Sequence, residues 1–156
     1  MVVDDNTDAA ELLGVWLETQ GHQVTVKFDA REALATARLE PADVYVLDIG
    51  LPEMDGNELA RRLRADPRTR KATLIALTGY GQAQDILQSR QSGFDHHFVK
   101  PADPTRLAVV IESLAQQAQQ AQKEQNEPKV PRSPQEPAAP PHRAARDEAR
   151  SERQAI

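Results

Sequence analysis

The stretch Val44–Gly56, VYVLDIGLPEMDG, decides how this chain is read. Val44, Tyr45, Val46 and Leu47 make a run of apolar and aromatic residues that suits a strand covered on both faces. Asp48 then puts a carboxylate where the run promised more core. Pro52 and Gly56 shape the backbone that follows, and Asp55–Gly56 supplies turn chemistry of its own. Asp48 therefore stands at the mouth of a buried strand, not in the turn after it.

Similar runs occur on either side. Val2–Val3, Val24–Phe28, Leu74–Leu77 and Phe98–Val99 are short and apolar, and helical patterns lie between them. In the first helix Ala9, Leu12, Leu13 and Trp16 recur at helical spacing, with Asn6 or Thr7 as cap and Gly21 as the stop. The second opens on Asp29 and Glu32, a capping-box-like pair, and ends before Pro41. The third carries Leu59 and Leu63 and halts at Pro67; the fourth stops at Gly93. The fifth has Asp103 as N-cap, Pro104 at its first position, and Leu107, Val110, Ile111 and Leu114 on one face. Five strands alternating with five helices predict an α/β fold: a five-stranded parallel sheet, doubly wound in the flavodoxin-like order 2-1-3-4-5. Only Met1, Val2 and Val3 precede Asp4, so the first strand is short for a central position.

Composition limits the function. The 156 residues suit one domain with some chain to spare, which we place at 1–115. Residues 116–156 are rich in Gln, Ala, Pro and charge; we expect a largely disordered tail whose beginning continues the fifth helix to about Lys123. The sharper alternative is a partner-binding tail. Formal charge is −5, which disfavours general nucleic-acid binding. No cysteine is present, so disulfides and thiolate chemistry are excluded. No apolar run approaches the roughly 20 residues of a membrane span, and we expect a soluble, cytoplasmic protein without a membrane partner.

In an open parallel sheet, ligands bind beyond the carboxyl ends of the strands. Asp4 and Asp5 end the first strand, Asp48 the third, Thr78 the fourth and Lys100 the fifth, so these residues are expected around one crevice. Three carboxylates there repel one another, and a hard divalent ion with oxygen ligands, Mg2+, relieves the repulsion. An ammonium and a hydroxyl added to that metal suit a phosphoryl group in transfer. A carboxylate in such a setting can act as nucleophile and form an aspartyl phosphate.

The segments VVDDN, VYVLDIGLPEMDG, IALTGYG and FDHHFVKP resemble, in order and spacing, the motifs of bacterial response-regulator receiver domains over about residues 1–115. The resemblance implies that Asp48 is the phospho-acceptor. It implies that Asp4, Asp5, Asp48 and the backbone carbonyl of Gly50 hold Mg2+, and that Thr78 and Lys100 bind phosphoryl oxygens. The Lys100–Pro101 bond would be cis. The donor would be a histidine kinase or histidine phosphotransfer domain. Movement of Thr78 would alter the surface of the fourth helix, fifth strand and fifth helix, through which a downstream protein binds or a homodimer forms.

Other residues have plainer readings. Trp16 is packing. The basic run Arg61, Arg62, Arg64, Arg68, Arg70 and Lys71 reads as a solvated helix face and loop, with a docking patch as the alternative. His96 and His97 are adjacent on a strand and point to opposite faces, so they do not chelate together. In the receiver resemblance His97 takes the place of an aromatic switch residue, which implies a weaker or pH-sensitive switch. Gly50 and Tyr80, two residues after Asp48 and Thr78, offer no polar group to orient water and bulk respectively, and predict slow hydrolysis of the phosphoryl group. Two rival classes are an aspartyl-phosphate hydrolase, against which Gly50 stands where a second Asp is usual, and a scaffold that no longer receives phosphate. We expect a signalling domain, not an enzyme.

Overall fold

The structure, a computed structural model, describes residues 1–79 and 83–126. Strands and helices alternate: β1 Val2–Val3, α1 Thr7–Thr19, β2 Val26–Lys27, α2 Ala30–Leu39, β3 Val44–Asp48, α3 Gly56–Ala65, β4 Thr73–Thr78, α4 Ala83–Gln91, β5 His96–Val99 and α5 Pro104–Asn126. The strands are all parallel, in the order β2-β1-β3-β4-β5. This is the expected doubly wound sheet. Compared with expectation, β2 is narrower and β5 begins two residues earlier. Met1–Gln125 forms one compact unit. The expectations for Tyr80 and for the tail beyond Asn126 lie outside the described residues.

Why the strand sequences are apolar without alternation is visible in the packing. Val3, Tyr45, Leu47, Leu74 and Ala76 face one core with Ala33, Leu34 and Ala37 of α2 and Leu59, Ala60 and Leu63 of α3. Val2, Val46, Ile75 and Leu77 face the other with Ala10 and Leu17 of α1 and Leu107 and Ile111 of α5. Successive strand residues point to opposite faces, and each face is covered by helices, so both must be apolar. The short β1 is extended by the backbone before it. The Met1 ammonium donates to the Val44 carbonyl at 2.8 Å, and the Met1 carbonyl accepts from Val46 N at 2.9 Å. Burial lowers the pKa of that ammonium to about 6.

Three local expectations need correction. On α1 the buried residues are Ala10, Gly14 and Leu17, while Leu12 is 73% exposed and Ala9 is also outside. A Cβ on Gly14 would come within 2.7 Å of Val26 Cγ2, so the helix lies against β2 through its smallest residues. Close approach, not bulk, sets its rotation; Leu13 and Trp16 still pack at the margin of that core. Asp55 is not a turn residue but the N-cap of α3, accepting from Glu58 N at 2.8 Å.

Arg64 is not part of a solvated face. Its guanidinium donates to the carbonyls of Gly93, Arg70 and Ala72 and to Asp95 Oδ2, the last at 2.6 Å. Asp95 Oδ2 in turn accepts from Leu74 N at 2.8 Å. Arg64 thus ties α3 to the entrances of β4 and β5. Gly93 has φ +99°, and a Cβ there would lie 2.8 Å from Arg64 Cγ, so the glycine answers both a left-handed backbone and the passing arginine.

Candidate functional site

The carboxyl ends of β1, β3 and β5 bring Asp4, Asp48 and Lys100 into direct contact. Lys100 Nζ lies 2.7 Å from Asp4 Oδ2 and 3.1 Å from Asp48 Oδ2. Each carboxylate uses its other oxygen on the backbone: Asp4 Oδ1 accepts from Asn6 N at 2.9 Å, and Asp48 Oδ1 from Gly50 N at 3.0 Å. Asp4 and Asp48 are buried and Asp5 is exposed beside them. Folding withdraws these acids from water because charge-assisted hydrogen bonds compensate. Burial is the largest influence on the Lys100 ammonium and lowers its pKa. The hydrogen bonds to Asp4 and Asp48, with their charges, outweigh it and hold the value above that of ordinary lysine.

Asp4, Asp5 and Asp48 each place one carboxylate oxygen within 4.8 Å of the others. Among the described residues this is the grouping of acids and histidines close enough to share an ion. Three carboxylates and one ammonium leave two negative charges, and the donors are hard oxygens, so the set fits Mg2+. Gly50 meets Asp48 through its N–H.

A cavity of about 300 Å³ opens from this cluster toward α4, lined among others by Asp48, Gly50, Thr78, His97 and Lys100. Thr78 is buried at the end of β4, and its carbonyl accepts from Lys100 N at 2.7 Å. The Lys100–Pro101 peptide is cis. His97 pairs in register with Ala76, so it faces the α2–α3 side of the sheet. There its Nδ1 lies 3.1 Å from Ser89 Oγ on α4. Burial pulls the His97 imidazole below the ordinary histidine value; Asp85 opposes this and Arg90 adds to it. Each site residue that the sequence pointed to within the described part therefore lies in the acidic cluster, the cavity or the turn at Pro101.

Sequence reasoning missed Asn57, which is 5% exposed and lines the same cavity. A signal was present: Asn57, Ala60 and Leu63 recur at helical spacing, which puts the amide on the core face of α3. Ser89, Asp85 and Gln88 on α4 were also passed over. Nothing in their local sequence separates them from solvated helix residues.

The site is thus an acid cluster and a lysine at the carboxyl edge of a five-stranded parallel α/β sheet. The comparison with known families is specific: the response regulator receiver domain profile matches residues 1–112, and the chain belongs to that family. It is 39% identical over 112 residues to an uncharacterized 14.6 kDa protein of Leptolyngbya boryana, covering 72% of this chain and 86% of that one. It is 33% identical over 118 residues to the DNA-binding dual master transcriptional regulator RpaA of Synechocystis, covering 75% of this chain but 48% of RpaA. The chain thus spans about half of that regulator. Among solved structures, a CheY-like response regulator receiver domain protein from Methanospirillum hungatei superposes with a TM-score of 0.69 at 30% identity, covering 76% of this chain and 94% of the other. Receiver domains bind Mg2+ through an acidic cluster such as this one and work with histidine kinases and downstream effectors. RpaA is named a DNA-binding transcriptional regulator, so the absence of a nucleic-acid partner is not carried by the relatives. Among the described residues no helix is long and apolar enough to cross a membrane.

Proposed function

We propose that the chain is a phosphorelay receiver that accepts a phosphoryl group on Asp48. The observation that supports this most is the single Lys100 ammonium shared by two buried carboxylates, from β1 and β3, at the carboxyl edge of the sheet. A carboxylate oxygen of Asp48 attacks the phosphorus of a phosphohistidine; the O–P bond forms, the N–P bond breaks and the imidazole leaves with its electron pair. Mg2+, held by Asp4, Asp5, Asp48 and the Gly50 carbonyl, supplies neutralisation of the converging negative charges. Lys100 holds a transferred oxygen from the side of β5, and the Thr78 hydroxyl does so from β4. The donor is a histidine kinase or histidine phosphotransfer domain. Output is a changed protein surface, and exposed Leu87 on α4, Val99 on β5 and Val109 on α5 offer apolar side chains for a downstream partner or a second copy. The protein signals by this one phosphoryl group and catalyses only its own phosphotransfer and dephosphorylation; it resides in the cytoplasm.

Acetyl phosphate with Mg2+ tests the proposal. The expected product is one hydroxylamine-labile phosphoryl group per chain, lost in Asp48→Asn and on chelation of the metal. Labelling that persists in Asp48→Asn refutes it, and an unlabelled wild type favours the silent scaffold. The bare Gly50 predicts slow decay of the phosphorylated protein; loss within seconds counts against that.

A further inference from the structure

Charge is distributed unevenly over the surface. No Lys or Arg occurs before Lys27, so α1 carries acids alone. Asp8, Glu11, Leu12, Val15 and Glu18 recur at helical spacing and are all exposed, Leu12 by 73% and Val15 by 59%. They form one stripe, turned away from the buried Ala10, Gly14 and Leu17. Among the described residues none of its three acids has an ion-pair partner. The opposite charge collects where α2 ends. There the Arg68 guanidinium donates to the Arg38 carbonyl, which joins the end of α2 to the segment between α3 and β4. Arg38, Arg68, Arg70 and Lys71 are exposed, and among the described residues no carboxylate pairs with any of them. Arg61 and Arg62 differ, since Glu58 neutralises that part of the run. Leu39, 82% exposed, follows Arg38 directly.

A charge run on its own is a solvated face. Here two runs of opposite sign stand on one chain, and each includes exposed aliphatic side chains that water solvates poorly. They cannot meet within a molecule, because α1 covers one face of the sheet while α2 and α3 cover the other. They can meet between molecules. We propose that the chain associates with itself through these unlike surfaces: the acidic stripe of α1 docks on the basic end of a second copy. Carboxylates then face guanidinium and ammonium groups, and Leu12 and Val15 gain Leu39 as an apolar neighbour. Complementary charge orients the encounter and sets its specificity. Exposed ion pairs are individually weak and screened by salt, so the association is weak and salt-sensitive. This surface is separate from Leu87, Val99 and Val109, and it requires no phosphoryl group, so the inference goes beyond the receiver reading and does not rest on it.

Sedimentation equilibrium of the full, unphosphorylated chain tests it. In low salt the average mass should climb above that of the monomer as protein concentration rises, and raising salt from about 50 to about 500 mM should weaken the association about tenfold or more. Glu11→Lys with Glu18→Lys, and separately Arg70→Glu with Lys71→Glu, should each abolish it. An equimolar mixture of these two double variants should associate again, because each supplies the surface that the other has lost. All four positions are exposed, so the substitutions leave the fold in place, and circular dichroism verifies that. Asp48→Asn should associate as wild type does, which separates this result from the fate of the phospho-acceptor reading. A wild type that stays monomeric at every concentration, double variants that associate undiminished, or a mixture that stays monomeric overturns the proposal.

Discussion

Replacing Gly56 by Ala sets two physical effects against each other. Gly56 is the first residue of α3, behind its Asp55 cap, and its φ is not in the left-handed region. Helix propensity alone says that Ala stabilises there, by up to about 1 kcal/mol. The surroundings say the opposite. The new Cβ would lie 2.3 Å from the Asp48 carbonyl oxygen and 2.8 Å from Ile49 Cα. Both obstacles are backbone in the sheet and loop that aim the phospho-acceptor, so no side-chain rotation relieves the overlap. Relief needs α3 to retreat by about 1 Å, and forcing one extra carbon into a packed site costs about 1–3 kcal/mol, here toward the upper end. The net expectation is a loss of about 2 kcal/mol and a fall in Tm of about 8 °C. Urea unfolding followed by fluorescence of the single tryptophan, Trp16, measures it. Gly50→Ala is the control: its Cβ meets only the Asp48 carboxylate oxygens, at 3.7 Å, and stability should be unchanged. If Gly56→Ala proves as stable as wild type, the close approach does not constrain the loop and the reasoning is wrong.

Arg64→Leu keeps the apolar stem but removes a fork that serves three carbonyls and Asp95; a loss of about 2–3 kcal/mol in urea unfolding is expected, and Arg64→Lys should recover only part of it, since an ammonium cannot reach all of these acceptors. Tyr45 is 1% exposed, and burial raises its phenol above the ordinary value. The folded state therefore keeps a proton that the unfolded chain releases near pH 10, so this contribution to stability is intact below that pH and is lost as pH climbs toward the folded value. Denaturation midpoints across alkaline pH should fall more steeply in wild type than in Tyr45→Phe, and equal slopes refute the assignment. Mg2+ at ten times its dissociation constant should add about 1.4 kcal/mol of stability. Calorimetry should show the gain abolished by chelator and largely lost in Asp48→Asn; a metal-independent Tm would rule out the acidic cluster as its site.

Much of this is legible in the order of residues. Apolar runs covered on both faces announce a parallel sheet, and the punctuation by Asp29, Pro41, Gly93 and Asp103 locates helix ends, because caps and breakers act through bonds only a few residues away. The acids and the lysine were legible as a group because the strand-end rule turns sequence position into spatial position. The failures share the opposite character. Leu12 and Ala9 looked like core by spacing, but the rotation of α1 depends on how near Gly14 approaches β2. Arg64 looked solvated because its neighbours are charged, yet its acceptors include Ala72 just before β4 and, far along the chain, Gly93 and Asp95 just before β5.

By itself, then, the order of residues determined the kinds of elements, their order along the chain and which charges end which strands, since these follow from local bonding and from period-two and period-3.6 patterning. Tertiary packing alone decided that Lys100 Nζ bridges Asp4 and Asp48, and that Asn57 and His97 line one cavity. Those pairings depend on how far two elements separate in space, which no local interaction specifies.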